Sequence, residues 1–151
     1  MVGLLLVEIE KERNGEFIER VYIQKSVQML IEVGNGSKRI YEQEFEAPLI
    51  QQTRDYFHNE SNQFITNNSC TSYLQKANTR FQEETDRINS YLHPSSMDKV
   101  LNVFLREYVE NHAPTLLNMQ NSGLIQMIKQ DKFAEIKLMF GLFKRCPEAL
   151  N

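Results

Sequence analysis

A long amphipathic segment, residues 69–93, constrains the possible folds of this chain more than any other part of its sequence. Apolar side chains recur along it at spacings of three and four residues, with polar residues between them. The apolar positions are Leu74, Ala77, Phe81, Ile88, Tyr91 and Leu92. At about 3.6 residues per turn, this spacing forms one apolar stripe along a helix of about six or seven turns. Such a helix must bury one face against other elements and expose the other to water.

The rest of the chain repeats this design between turn signals. Apolar periodicity predicts helices over residues 4–13, 20–33, 48–66 with Pro48 in the first turn, 69–93, 100–109 and 133–143, a short helical turn at 41–45 and an apolar segment at 124–128. Breaks are expected at 14–15, 34–37, 94–96, 121–123 and Pro147, and Pro114 is expected to end or kink its helix. No segment alternates at period two over the length of a strand. The sequence therefore predicts an all-α fold, a multi-helix bundle in which residues 1–151 form a single domain.

Composition limits the classes of partner. The 151 residues are 41% hydrophobic and 25% charged, and their net charge of −3 disfavours a large phosphate-binding surface. The longest apolar run, residues 2–7, is far shorter than the roughly 20 residues that span a bilayer, and it lacks the features of a signal peptide. We therefore expect no nucleic-acid or membrane partner and a cytoplasmic and/or nuclear location. Cys70 and Cys146 are expected to be buried free thiols.

The histidines and serines do not form a recognisable catalytic or metal site. His58, His93 and His112 do not share a helical turn, whereas a zinc site more often shows paired His or Cys at short spacing. His93 and His112 stand at helix ends, where an imidazole can interact with exposed carbonyl groups. No serine lies in a Gly-x-Ser-x-Gly elbow, and the glycines at 34–36 lack the residues of a phosphate loop. The sequence predicts a protein that is not an enzyme, with no catalytic, cofactor-binding or metal residues and no cofactor, and its partner-binding residues stay unknown.

Acidic residues cluster in the middle of the long amphipathic segment, at Glu83, Glu84 and Asp86. Adjacent residues on a helix do not face each other, so we interpret this cluster as the solvated face of the helix. Glu83 and Arg87 are then an ordinary surface pair at i,i+4. The aromatic residues expected in the core are Phe57, Phe64, Phe81, Phe104, Phe140 and Phe143.

Four segments together carry a resemblance to a known family. They are LLLVEIEKERNGEFIER at 4–20, YEQEFEAPLIQQTRDYFHNES at 41–61, SYLQKANTRFQEETDRINSYLH at 72–93 and NSGLIQMIKQDKFAEIKLMFGLFKR at 121–145. In this order and spacing they resemble the cullins, in the N-terminal helical-repeat region, at the second repeat and its junction with the third. Residues 119–132 are similar to the branch of the family that uses BTB-domain substrate adaptors. The resemblance covers nearly the whole chain and implies a bundle of the cullin-repeat type.

The resemblance also implies a function. It predicts a non-catalytic scaffold segment of a cullin-RING ubiquitin ligase, which holds the substrate adaptor and the catalytic module apart. The implied partners are other subunits of that ligase, with adaptor and RING contacts mostly outside this segment. The alternative is a stand-alone cullin-like protein-binding module that competes with or regulates a full-length cullin.

Two local features of the sequence lead to further expectations: the apolar segments near its two ends, and the residue that precedes the second helix. The apolar segments 2–7 and 138–143 suit either stacking on neighbouring repeats or burial within the bundle. Glu19 stands where the relatives commonly have Asp or Asn before a helix, and glutamate is a poorer N-cap. We therefore expect a weaker helix start at that position.

Overall fold

The chain folds into helices joined by short turns. The structure, a computed structural model, describes residues 1–119 and 122–146. Its helices are α1 (Val2–Arg13), α2 (Arg20–Val33), the short α3 (Arg39–Tyr41), α4 (Ala47–Asn67), α5 (Cys70–Tyr91), α6 (Met97–Tyr108), α7 (Ala113–Leu117), α8 (Leu124–Lys129) and α9 (Phe133–Lys144). No strand is present within the two described ranges, and the predicted all-α fold is confirmed.

The turns after α1 and α2 use residues in the left-handed region of the backbone. Gly15 has a φ of 90° after α1, and Asn35 and Gly36 have φ values of 52° and 85° after α2. Glycine has no Cβ and asparagine tolerates this region, so both residue types can reverse the chain here with little strain. The breaks predicted at 14–15 and 34–37 therefore lie where the helices end.

The starts of α2 and α5 differ in their caps. Glu19, before α2, makes no side-chain cap hydrogen bond, in agreement with the weaker start that was expected. The hydroxyl of Ser69, before α5, accepts a hydrogen bond of 3.2 Å from the backbone N–H of Ser72. A capped start satisfies one of the backbone donors that have no partner within the helix.

A wider helical turn joins α3 to α4. Residues Glu42–Glu46 form one π-helical turn, so the helical path runs without a break from Arg39 to Asn67. Pro48 lies in the first turn of α4, as predicted. Because proline has no N–H to donate, the gap that it leaves in the hydrogen-bond ladder falls next to this wider turn. The short turn predicted at 41–45 is therefore the beginning of one longer helical path.

Short 3-10 turns, Pro94–Ser96 and Glu110–His112, stand on either side of α6. The second of these turns leads into α7, whose first turn contains Pro114. The helix before this proline ends, as predicted, but it ends at Tyr108, several residues before Pro114. The predicted break at 121–123 lies partly outside the described residues, and the one at Pro147 lies wholly outside them.

Buried apolar side chains form two clusters at opposite ends of α4, α5 and α6. In the N-terminal core, the helices α1, α2 and α3 pack against one end of α4, α5 and α6. This core contains Leu5, Ile9, Ile18, Ile23, Val27, Leu30, Tyr41, Phe45, Leu49, Ile88, Tyr91, Leu92 and Val100. In the C-terminal core, the helices α7, α8 and α9 pack against the other end of α4, α5 and α6. This core contains Phe57, Cys70, Tyr73, Leu74, Ala77, Phe104, Leu105, Tyr108, Val109, Ala113, Leu116, Met127, Met139, Leu142, Phe143 and Cys146. The long helices α4 and α5 and the shorter α6 contribute side chains to both cores and connect the two ends of the molecule.

The predicted aromatic core is only partly correct. The rings that are fully buried, as predicted, are Phe57, Phe104 and Phe143. Phe64 and Phe81 are partly buried, and the guanidinium carbon of Arg145 lies 4.3 Å from the centre of the Phe81 ring. The prediction for Phe140 is wrong, since its side chain is 42% exposed. The buried face of α9 is centred on Met139 and Phe143, and Phe140 lies outside that face.

Burial predicts different effects of truncating these rings. We expect Phe104→Ala to lower the free energy of unfolding by about 3–5 kcal/mol, because the buried ring packs against Phe57 and Tyr108 and its loss leaves a cavity. Phe140→Ala is the matched control, and we expect a loss below about 1 kcal/mol for this exposed ring. Phe81→Ala should lie between the two. Urea unfolding followed by circular dichroism measures all three, and equal losses for Phe104→Ala and Phe140→Ala would contradict the placement.

Candidate functional site

A belt of charged and hydroxyl side chains crosses the molecule between the two cores. On α4, Thr53 lies about one turn from Leu49 of the N-terminal core and one turn from Phe57 of the C-terminal core. On α5, Glu84 likewise lies about one turn before Ile88. The members of this charged belt are Glu12, Arg13, Thr53, Tyr56, Glu60, Arg80, Glu84 and Arg87.

The centre of the charged belt is an ion pair between Arg13 and Glu84. Nε and Nη2 of Arg13 donate to the two carboxylate oxygens of Glu84, each at 3.0 Å, and Nη2 also donates to Thr53 Oγ1 at 2.9 Å. Both charged side chains are 1% exposed. Arg87 donates to the same carboxylate and also to Glu12 Oε1, the latter at 2.8 Å. Two parallel hydrogen bonds between buried side chains make the contact strongly directional.

The prediction that Glu84 lies on a solvated helix face is therefore wrong. Its neighbour Asp86 is exposed, as predicted, and Glu83 is partly exposed. The predicted surface pair between Glu83 and Arg87 is also wrong, because Glu83 pairs with Arg80 at 2.9 Å while Arg87 turns inward to Glu84. The helix thus buries one charge of the acidic cluster and exposes the others.

One sequence signal could have identified the buried charge. Glu84 lies three residues after Phe81 and four before Ile88, so it occupies a position within the apolar stripe of α5. A charge in such a stripe requires a buried partner of opposite sign. That partner, Arg13, is 71 residues away in the sequence, and no local spacing indicates it.

A second ion pair extends the charged belt to α4 and α6. Arg80 donates through Nε and Nη2 to the two oxygens of Glu60, at 2.8 and 2.6 Å, and the hydroxyl of Tyr108 donates to Glu60 at 2.9 Å. Arg80 Nη1 and the Tyr56 hydroxyl also donate to the backbone carbonyl of Arg13, at 2.9 and 3.1 Å. The last carbonyl of α1 therefore finds partners on α4 and α5.

The arginines hold two carboxylates of the charged belt in the ionised form. Partial burial raises the pKa of Glu60, but the hydrogen bonds and the charge of Arg80 lower it more, so the pKa lies below its ordinary value. Partial burial likewise raises the pKa of Glu12, and hydrogen bonds from Arg20 and Arg87 bring it below the ordinary value. A general acid or base needs a pKa near the working pH, and these shifts run in the opposite direction.

Histidine and serine side chains take part in the packing of α4 against α6. His112 Nε2 lies 3.1 Å from Ser61 Oγ, and not against the helix-end carbonyl that was expected. His58 Nδ1 lies 3.1 Å from a carboxylate oxygen of Glu107. Ser61 is fully buried, and its hydroxyl donates to the carbonyl of Glu107 at 3.1 Å, so this pair has no open side for a substrate. Over residues 1–119 and 122–146, no three His, Cys, Asp or Glu side chains are grouped so that they could hold a metal ion.

His93 and the two cysteines have structural positions. His93 Nδ1 accepts a hydrogen bond of 3.1 Å from the backbone N–H of Ser95, so it caps the turn before α6 and does not contact helix-end carbonyls as expected. Cys70 and Cys146 are buried free thiols, which confirms the prediction. Burial raises the pKa of both thiols to about 11, and a thiol in that state is a poor nucleophile at neutral pH.

Large apolar side chains are exposed on helices that pack against each core, and we group them into two surfaces by the helices that carry them. The N-terminal surface, on α1, α2 and the turn between them, consists of Leu4, Val7, Phe17, Val21, Tyr22, Met29 and Val33. The C-terminal surface, on α8 and α9, consists of Ile125, Ile128, Phe133 and Phe140. The side chain of Phe17 is 87% exposed and that of Phe133 is 70% exposed. Large apolar side chains that stay exposed are candidates for contact with another protein segment.

The apolar ends of the sequence contribute both to the cores and to these surfaces. In the segment 2–7, Leu5 is buried, whereas Leu4 is exposed. In the segment 138–143, most apolar residues face the C-terminal core, whereas Phe140 is exposed. Burial within the bundle is therefore confirmed in part, and stacking on neighbouring repeats stays a prediction. Over the described part of the chain, no helix combines the length and the apolar character needed to cross a bilayer.

Comparison with known proteins identifies a family model and several sequences that are similar to this chain. Residues 1–151 match the family model described as the cullin alpha solenoid domain. Cullin-3 of Dictyostelium discoideum is 40% identical over 151 residues, which are 100% of this chain and 20% of that protein. Cullin-3B of Arabidopsis thaliana is 34% identical over 99% of this chain and 20% of its own length, and Cullin-3 of Caenorhabditis elegans is 30% identical over 97% and 19%. The chain spans about a fifth of the length of these relatives.

The lowered carboxylate pKa values predict a loss of stability in acid. A group whose pKa is lower in the folded state stabilises the fold above its unfolded pKa, about 4.3 for glutamate, and this contribution disappears as the pH falls through the folded pKa. We therefore expect the free energy of unfolding to decrease below about pH 4.5, as Glu12 and Glu60 become protonated. Urea unfolding at a series of pH values measures this change in the free energy of unfolding. Glu60→Gln should flatten the acid branch, and a full acid slope in that variant would contradict the assignment.

Proposed function

The chain belongs to the cullin family, and on that basis we propose that it is a non-catalytic scaffold segment of a cullin-RING ubiquitin ligase. Its similarity to Cullin-3 proteins of three organisms confirms the branch that was expected from residues 119–132. In the proposed role, the segment holds a substrate adaptor of the BTB class and the catalytic module apart. The contacts to the adaptor and to the RING subunit are proposed to lie mostly outside this segment.

One observation carries this proposal: large apolar side chains are exposed at each end of a body built around α4, α5 and α6. α4 has 21 residues and α5 has 22, and both run through the two cores. At about 1.5 Å per residue, each helix is about 30 Å long. A segment of this kind separates whatever covers its N-terminal surface from whatever covers its C-terminal surface. That arrangement suits a spacer whose neighbours in the same ligase scaffold dock end to end.

The side chains of the interior support a role as a spacer more than a role in catalysis. Two aromatic-rich cores pack around the long helices, and the charged belt links them through directional hydrogen bonds. The side chains that could do chemistry are engaged elsewhere, with Ser61 buried against His112 and both thiols buried. We propose that the segment acts without a cofactor, in the cytoplasm and/or the nucleus, and binds neither nucleic acid nor membranes. The net charge of −3 supports the part of this proposal that concerns nucleic acid.

A second candidate function is a stand-alone module that competes with or regulates a full-length cullin. The observation in its favour is the exposure of both apolar surfaces, since Phe17 and Phe133 are free to contact the surfaces that a full-length cullin uses internally. The two candidates differ in what the isolated chain binds. Stable recovery of adaptor or RING subunits with the tagged, isolated chain favours the module, and recovery of neither favours the spacer.

A chimeric cullin tests the spacer directly. In Cullin-3 of Dictyostelium discoideum, the matching segment is replaced by this chain. We expect the chimera to bind adaptor and RING subunits and to retain ligase activity on an adaptor-bound substrate. Ile128→Asp with Phe133→Asp should reduce that activity about tenfold or more, because two exposed apolar side chains of the C-terminal surface become charged where a neighbouring segment docks.

The controls separate docking from folding. Gln75→Asp changes an exposed residue of α5 outside both apolar surfaces and should leave the activity of the chimera unchanged. The two aspartate substitutions should also leave the urea midpoint of the isolated chain unchanged, because both side chains are exposed. A chimera that assembles normally with the doubly substituted C-terminal surface would contradict the proposed role of that surface. Loss of adaptor and RING binding in the unsubstituted chimera would contradict the spacer function as a whole.

A further inference from the structure

The orientation of α1 is poorly specified by its apolar residues. Residues 4–7 are Leu-Leu-Leu-Val, and the structure buries Leu5 while it exposes Leu4 and Val7. Neighbouring residues on a helix are about 100° apart, so a rotation by one residue would put another apolar side chain in the place of Leu5. Among the buried apolar positions of α1, only Ile9 has charged residues on both sides in the sequence. Val2 and Leu6 are also partly buried against the N-terminal core, so apolar burial specifies the rotation of α1, but only in part.

The C-terminal turn of α1 makes contacts that tolerate no such exchange. Arg13 forms two parallel hydrogen bonds with Glu84, and Glu12 accepts hydrogen bonds from Arg87 at 2.8 Å and from the hydroxyl of Tyr91 at 3.0 Å. A rotation by one residue would separate Arg13 from Glu84. The Glu84 carboxylate, in a side chain that is 1% exposed, would then lose one of the positive charges that balance its own. Breaking a buried pair in this way is strongly unfavourable, whereas exchanging one leucine for another is nearly neutral.

We propose that the charged belt is an orientation lock, which selects one rotation of α1 on the rest of the molecule. The lock acts on α1 from two sides. Side chains of α1 bind Glu84 and Arg87 on α5, and the terminal carbonyl of α1 accepts hydrogen bonds from Arg80 and Tyr56. Buried ionic groups are best known in this capacity, as groups that define register and contribute little to net stability.

The same lock links the two cores. Tyr91, which donates to Glu12, belongs to the N-terminal core, and Tyr108, which donates to Glu60, belongs to the C-terminal core. α1 carries Leu4 and Val7, so its rotation determines which apolar side chains the N-terminal surface presents. The charged belt therefore selects the partner-facing side of α1 from a helix that is apolar on several sides.

Distances between spin labels test the lock. Labels are attached at Val7→Cys on α1 and Gln75→Cys on α5, both at exposed positions. The native thiols of Cys70 and Cys146 are buried and react slowly. We expect one narrow distance distribution in this parent protein. Arg13→Met with Glu84→Met replaces the buried pair by apolar side chains of similar length and should keep the helical content while the distribution broadens or splits.

A matched control lies on the same helix. Lys11 and Glu8 form an exposed ion pair at 2.9 Å, with side chains 47% and 41% exposed. Lys11→Met with Glu8→Met removes two charges of the same kind from α1 and should leave the distribution narrow. A narrow, unchanged distribution in the folded Arg13→Met, Glu84→Met protein would overturn the proposal, and so would equal broadening in the control.

Arg13→Lys and hydrogen exchange keep the proposal testable if the methionine pair prevents folding. Lysine retains the charge of Arg13 but cannot form two parallel hydrogen bonds with Glu84. We expect the amide of Ile9 to exchange about tenfold faster or more in Arg13→Lys, with less than about twofold change at Phe104 in the C-terminal core. Equal acceleration at both sites would show that the belt affects only global stability and would overturn the proposal, as would an unchanged rate at Ile9.

Discussion

The buried contact between Arg13 and Glu84 is the constraint on which the arrangement of the other elements depends. Each of these side chains is 1% exposed, and without Glu84 the Arg13 guanidinium would be a buried charge with no carboxylate partner, while Glu84 without Arg13 would keep only Arg87. Removing one member of such a pair typically costs about 3–5 kcal/mol, although the pair as a whole adds little to stability relative to apolar residues. The interaction therefore restricts the fold to those packings in which the end of α1 meets the middle of α5. Arg80 and Arg87, which lie on the same helix as Glu84, also contact the C-terminal end of α1.

This constraint explains how one body can hold two separate hydrophobic cores. Apolar packing organises each end of the molecule, and the charged belt between the ends fixes how they are related through hydrogen bonds with definite directions. Apolar contacts alone are non-directional and allow side chains of similar volume to exchange. For the proposed spacer role, a defined relation between the two ends is the property that matters, because we propose that neighbouring segments dock on the N-terminal and C-terminal surfaces.

Sequence reasoning was reliable where a signal is local and failed where the partner is distant. The periodicity of residues 69–93, the Ser69 cap and the proline at 114 all correspond to features of the structure, because each depends on residues within one or two helical turns. Phe140 was assigned to the core since it fits a helical period, but α9 presents a neighbouring face to the core. Errors of about a quarter of a helical turn arise in this way because apolar residues surround much of α9, so the period alone does not define its buried side.

The candidate site shows the same division. The two end segments are recognisably apolar in the sequence, and the resemblance of the four segments to cullins indicates the family without any structure. The charged belt was not foreseen, because Glu84 and Arg13 are separated by 71 residues and a carboxylate in an acidic cluster ordinarily faces water. Local periodicity therefore accounts for the helices and for which stretches must be buried. The identity of the buried charges, and the side of α1 that faces outward, depend on which helices meet in space, since an ion pair forms between neighbours in the fold and leaves no periodic trace in the chain.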